Sequence, residues 1–200
     1  MNEKQEYKNI REIFRDFSSP NQELMEAKIS AINLYKKTNT LQVNLLSDKH
    51  IKIKAIYGFE KYLEVRFGIA NIKIKIENSN TEESKDNTCE STELSTVAVI
   101  IEKEWEDIID YMSYKHPMSK AILVGSSITI DNKNINIILS KKGKEFLLAK
   151  KLDEILSDVI FNIYGEKYKV TYTENVSEDE IKKYQENAKK MQEEIIKKVQ

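Results

Sequence analysis

One order of elements, strand-strand-helix-strand, is legible twice in this chain, over residues 27–77 and again over 121–174. The first copy runs from LQVNLLSDKHIKIKA (41–55) through a helix to NIKIKIEN (71–78). The second runs from INIILSKKGKEFLLA (135–149) through a helix to the strand EKYKVTYTE, which ends at Glu174. Each copy closes its second strand on a serine, Ser47 or Ser140, and ends its helix near a glycine, Gly68 or Gly165. Two small α+β units in series, with no visible catalytic motif, point to recognition rather than chemistry.

Periodicity places the elements. Tyr7, Ile10, Ile13, Phe14 and Phe17 fall on one face of a helix over 5–18, which Ser18-Ser19-Pro20 ends. Residues 27–35 read as a strand. Leu41, Val43 and Leu45 alternate with Gln42 and Asn44 as a half-buried strand requires. Ile56, Phe59, Leu63 and Phe67 return at helical spacing. Ile72, Ile74 and Ile76 then share one strand face opposite Asn71, Lys73 and Lys75. In the second unit Val97, Ile101, Trp105, Ile108 and Ile109 line a helix over 94–113, broken at His116-Pro117. A short helix over 118–123 follows. Ile128 and Ile130 make a strand, Asp131-Asn132-Lys133-Asn134 a hairpin turn, and Ile135, Ile137 and Leu139 the return strand. Leu148, Leu152, Ile155, Val159 and Ile163 predict one long helix, and Tyr168, Val170 and Tyr172 one face of the last strand.

The expected organisation is a domain over 1–78, an acidic linker over 79–93, a second domain over 94–174 and an exit helix over 175–200. The linker holds Glu82, Glu83, Asp86, Glu90 and Glu93 against Lys85 alone. With no aromatic or branched aliphatic residue it cannot bury enough surface to offset its ordering entropy. Ser177 and Glu180 form a capping box for the exit helix. Ile181, Tyr184, Ala188, Met191 and Ile195 are its stripe, still running at Gln200. An uncapped end is expected where a chain was cut or where the helix leads into something else.

Composition narrows the function. With 32 basic and 33 acidic residues the net charge is −1, so no global field favours nucleic acid or membrane. Arginine, the usual tool for bidentate base and phosphate contacts, occurs only at Arg11, Arg15 and Arg66. The single cysteine, Cys89, excludes an internal disulfide and fits a reducing compartment. The N-terminus lacks an apolar h-region, and no apolar run approaches the ~20 residues of a membrane helix. A cytoplasmic protein with no membrane partner is expected.

Catalytic signatures are absent. His50 and His116 lie in different units without the clustered ligands a zinc site needs. Carboxylates near Cys89 raise rather than lower a thiol pKa. No G-x-S-x-G, Walker A or G-x-G-x-x-G is present. Glu102, Glu104, Glu106, Asp107 and Asp110 read as a solvated helix face, and Trp105 as a core anchor. The one locally basic element is Lys141, Lys142 and Lys144 around Gly143. There a strand passes into a helix, so lysines and backbone amides could meet a phosphate. A helix, two strands, a helix and a strand is also the K-homology topology, whose RNA clamp is a G-x-x-G loop. Gly125 and Gly143 each stand alone, so the topology matches without the clamp.

The chain as a whole resembles the N-terminal region of the PolC-type DNA polymerase III alpha subunit, a replicative polymerase of low-GC Gram-positive bacteria. The carriers are IKAIYGFEKYLEVRFG (53–68), the charged linker, WEDIIDYM (105–112), SKAILVGSSITIDNKNINIILS (119–140), and the Lys/Glu-rich final helix. The resemblance implies two appended domains ahead of an OB-fold, a PHP domain with an inserted proofreading exonuclease, and the polymerase core. It implies that the first unit docks the clamp loader's tau subunit and that the second is the K-homology-like one. It places no catalytic residue, metal or cofactor in this stretch. Nucleotidyl transfer with divalent metal and 3′–5′ exonuclease activity belong to the parent. DNA, met by the parent or by the second domain, is the other partner it allows. The alternative is a K-homology-like nucleic-acid-binding module or adaptor acting alone through Lys141, Lys142 and Lys144.

Overall fold

The computed structural model describes residues 7–77 and 96–175. The linker over 79–93 with Cys89, and the exit helix beyond Asn175, lie outside the described residues. The structure is mixed α/β, with two small three-stranded sheets of the same topology. In the first, β1 (Lys28–Tyr35) pairs antiparallel with β2 (Thr40–Leu46), and β2 pairs parallel with β3 (Asn71–Glu77). In the second, β4 (Ser127–Asp131) pairs antiparallel with β5 (Asn134–Leu139), and β5 pairs parallel with β6 (Lys169–Glu174). The antiparallel neighbour is reached by a tight turn, with Asn39 and Asn132 supplying positive φ. The parallel neighbour needs a helical crossover. The repeat in the sequence is therefore a repeat in the fold.

The first crossover is α3 (Ile53–Phe67), capped by Gly68 at φ 65°. It buries Ile53, Ile56, Phe59, Glu60 and Leu63. Where periodicity predicts a helix over 5–18, only one turn forms among the described residues, α1 (Ile10–Ile13). Asn9 and Glu12 make a capping box that starts it. Phe14 and Phe17 then leave helical geometry to pack on α3, with ring centroids 5.4 and 5.0 Å from Phe59. A further helix, α2 (Gln22–Glu26), is capped by Asn21, whose Oδ1 accepts the Leu24 N–H at 2.8 Å.

In the second unit the helix expected over 94–113 is two, α4 (Thr96–Lys103) and α5 (Trp105–Lys115), broken at Glu104. Trp105 is buried and its indole N–H donates to the Ser126 carbonyl and hydroxyl, both at 3.3 Å. A 3-10 turn at Pro117–Ser119 leads into α6 (Lys120–Leu123). The single long helix expected before the last strand is also two, α7 (Lys144–Ala149) and α8 (Leu152–Tyr164). The break falls at Lys150-Lys151, where Lys151 adopts φ 53°. Leu147 and Leu152 are both buried. Five positions apart, they could not share one face of a continuous helix. Leu148, expected in the stripe, is instead exposed. Among the described residues no helix is long and apolar enough to cross a membrane.

Candidate interaction surface

The two units meet helix against helix: α3 packs on α5, and α8 reaches the β3 edge of the first sheet. Polar groups from both sides are buried along this seam. Glu60 of α3 is fully buried, and its Oε1 accepts the Tyr111 hydroxyl at 2.9 Å. Its Oε2 stands 2.7 Å from Lys115 Nζ, an ion pair whose angle falls outside hydrogen-bond geometry. Lys115 also donates to the Ile72 carbonyl at 3.2 Å, and the Tyr114 hydroxyl donates to Glu64. Burial pushes Glu60 above the ordinary carboxylate range, against the opposing pull of Lys115 and Tyr111. Burial, reinforced by the Glu60 charge, likewise raises Tyr111, so its phenol stays a donor.

A second polar latch sits at the start of α3. Glu104, at the break between α4 and α5, accepts His50 Nε2 at 2.7 Å, the Ile53 amide at 3.1 Å and the Tyr164 hydroxyl at 3.0 Å. It thus caps the first turn of α3 from the opposite unit, where Lys52 supplies no side-chain cap. His50 stacks on Tyr164 with centroids 5.7 Å apart. Burial alone would raise the Glu104 pKa, but the bonds from His50, Ile53 and Tyr164 prevail and hold it below the usual range. Glu104 is therefore not on the solvated face expected of its acidic run, whereas Glu102, Glu106 and Asp110 are exposed. Periodicity carries no signal for either latch, because their partners lie 43 to 60 positions apart. The one local clue is Glu60 among the apolar positions of its own helix.

Between β3, α5 and α8 lies a cleft of about 300 Å³ floored by Ile72, Ile74, Ile155 and Val159 and rimmed by Lys115 and His116. His50 and His116 are not brought together, and among the described residues no three or more His, Cys, Asp or Glu side chains are grouped to hold a metal ion.

Lys141, Lys142 and Lys144 are all exposed at the β5–α7 turn. The amides beside them are occupied: the Gly143 and Lys144 N–H groups both donate to Glu174 Oε1 at 2.8 Å. Those two bonds hold the Glu174 carboxyl below its ordinary pKa. Lys141 Nζ lies 3.4 Å from the Ala121 carbonyl.

Residues 9–76 match the family model described as DNA polymerase III polC-type N-terminus I, and residues 103–200 that described as DNA polymerase III polC-type N-terminus II. The chain belongs to the PolC-type DNA polymerase III family. A DNA polymerase III PolC-type from Clostridium perfringens (strain 13 / Type A) is 26% identical over 191 residues, covering 88% of this chain. The chain spans only 11% of the length of that relative. No solved structure matches it. The latches draw on both PolC-type N-terminal stretches: His50, Ile53, Glu60 and Glu64 belong to the first, and Glu104, Tyr111, Tyr114, Lys115 and Tyr164 to the second.

Proposed function

We propose that these residues are the N-terminal interaction region of a PolC-type replicative DNA polymerase III alpha subunit, tethering it to the clamp-loader tau subunit during DNA replication. The match of both PolC-type N-terminal models to successive stretches of the chain carries the reading. The mechanism is tethering. A docked partner stays near the polymerase at an effective concentration set by the connection, without any new catalytic contact. Nucleotidyl transfer, its divalent metal and the 3′–5′ exonuclease lie on this reading in the rest of the parent chain. The test is surface plasmon resonance of immobilised chain 1–200 against purified tau at low and high salt. Binding that persists at high salt supports docking on an apolar surface. Absence of binding at either salt overturns the reading.

The second reading, a nucleic-acid-binding module, draws on the exposed Lys141, Lys142 and Lys144. Phosphate contacts release counterions, so such binding falls steeply with salt. A Lys141→Glu/Lys142→Glu variant should then lose affinity for single-stranded DNA. Unchanged affinity would remove this reading and leave the first.

A further inference from the structure

The first sheet has one edge that the rest of the molecule leaves partly open. Its β3 edge is bordered by α8. Its β1 edge is covered only at the start: the Ile29 amide donates to the Lys8 carbonyl at 2.9 Å and the Ile10 amide to the Ala27 carbonyl at 3.0 Å. From Ala31 to Tyr35 no further strand lies beside β1 among the described residues. A bulge between Ile29 and Ala31 resets the alternation. After it Ile32 stands opposite Val43 and Leu34 opposite Leu41, which sets both side chains on the core face of the sheet. Val43 and Leu41 are buried, yet Ile32 and Leu34 are 47% and 52% exposed. The core face thus runs out to the strand edge and ends there uncovered.

The charge around this edge is one-sided. Residues 28–47 contain no aspartate or glutamate in a chain with 33 of them. Lys36 and Lys37, in the turn that follows Tyr35, are exposed and stand in no ion pair among the described residues. At the other end of β1, Lys28 shares a cleft with Glu23 and Glu26, so the positive field is concentrated beside Lys36 and Lys37.

We infer that Ala31–Tyr35 is a strand-addition site for an extended segment of another protein, with aliphatic residues at alternate positions and acidic residues beside Lys36-Lys37. Backbone pairing at an open edge supplies the register, and the alternate side chains supply selectivity. Aliphatic side chains would complete the core face at Ile32 and Leu34. A second copy of this chain fits poorly. An antiparallel pair of the open Ala31–Tyr35 segments sets Lys36-Lys37 against Ser30 and Ile29, where no carboxylate meets them, and a parallel pair sets them against themselves, like charge against like. The acidic stretch over 79–93 has the charge but no branched aliphatic residue for Ile32 and Leu34. The inference is independent of tau, since it specifies the segment and not the protein that carries it.

The test uses chain 1–200 and two short capped synthetic peptides, one alternating valine with glutamate and one alternating valine with lysine. Fluorescence anisotropy reads affinity, and amide hydrogen exchange reads position. The glutamate peptide should bind about tenfold more tightly than the lysine peptide, the effect of one or two exposed charge pairs, and should slow exchange over 31–35. Lys36→Glu/Lys37→Glu should reverse the preference, and Ile32→Asn/Leu34→Asn should abolish binding while exchange in β5 and β6 stays unchanged. Failure of the glutamate peptide to bind, equal binding of both peptides, or protection elsewhere than β1 would overturn the inference. None of those outcomes touches tau binding, which is measured separately.

Discussion

A carboxylate buried as fully as Glu60 keeps its place because Tyr111 and Lys115 meet it from the opposite unit. Removing one partner of such a pair leaves an uncompensated buried charge and costs about 3–5 kcal/mol, whereas removing both can be nearly neutral. Lys115→Met should therefore lower the unfolding free energy by about 3–5 kcal/mol at neutral pH, read from urea denaturation. Lys115→Met with Glu60→Gln should recover most of that, because the amide oxygen still accepts from Tyr111. The sign with pH follows from the direction of the shift. Glu60 is raised above 4.5 in the folded state, so the native protein binds more protons than the unfolded one in that window. Its contribution is fully present below 4.5 and is lost as pH rises through the folded value. The Lys115→Met deficit should accordingly shrink in acid; a deficit independent of pH would mean that Glu60 is not the group left unpaired.

At the scale of elements, the β5–α7 turn depends on the absence of a side chain at Gly143. Its φ is 156°, and a Cβ there would lie 2.7 to 2.9 Å from atoms of the Ile122 side chain on α6. Gly143→Ala should destabilise by about 1–3 kcal/mol, the range for an overpacked site. Ile122→Ala in the same chain should offset part of it, a coupling that a double-mutant cycle in thermal or urea unfolding measures. The turn also shows what could be read from the sequence and what could not. Alternation within LQVNLL and NIKIKI and the αL glycines 68 and 165 were legible because each depends on local neighbours. The breaks at Glu104 and Lys151 were not, since helical spacing continues across both. What decides them is long-range: Glu104 turns to His50, Ile53 and Tyr164, and Lys151 lets Leu147 and Leu152 face one core. The short α1 had the same cause, with Phe14 and Phe17 drawn to Phe59 rather than kept on a helix face. The three lysines at 141, 142 and 144 were legible as a basic turn, but not that Glu174, a strand away, would take the neighbouring amides.

Across the whole molecule, the two latches titrate in opposite senses. Glu104 lies below 4.5 in the folded state, so its contribution is present above that value and is lost as pH falls through the folded pKa. Acid below about pH 4.5 thus weakens the latch at the start of α3 while favouring protonated Glu60 in the middle of the same helix. Glu104→Gln should flatten the acid limb of the stability–pH curve. Glu104→Ala, which also removes the acceptor for the Ile53 amide, should cost about 1–2 kcal/mol, the scale of a lost helix cap. The more telling readout is cooperativity. Because α3 packs on α5 and α8 borders β3, opening one sheet exposes apolar surface of the other. Native-state hydrogen exchange should therefore give β2 and β5 the same opening free energy and the same denaturant dependence. Lys115→Met with Glu104→Ala should split them into two values, as each unit opens without its polar contacts to the other. Equal values in that double variant would place the coupling in the apolar seam alone, and the buried polar groups would then serve to fix the orientation of the two units rather than to join them.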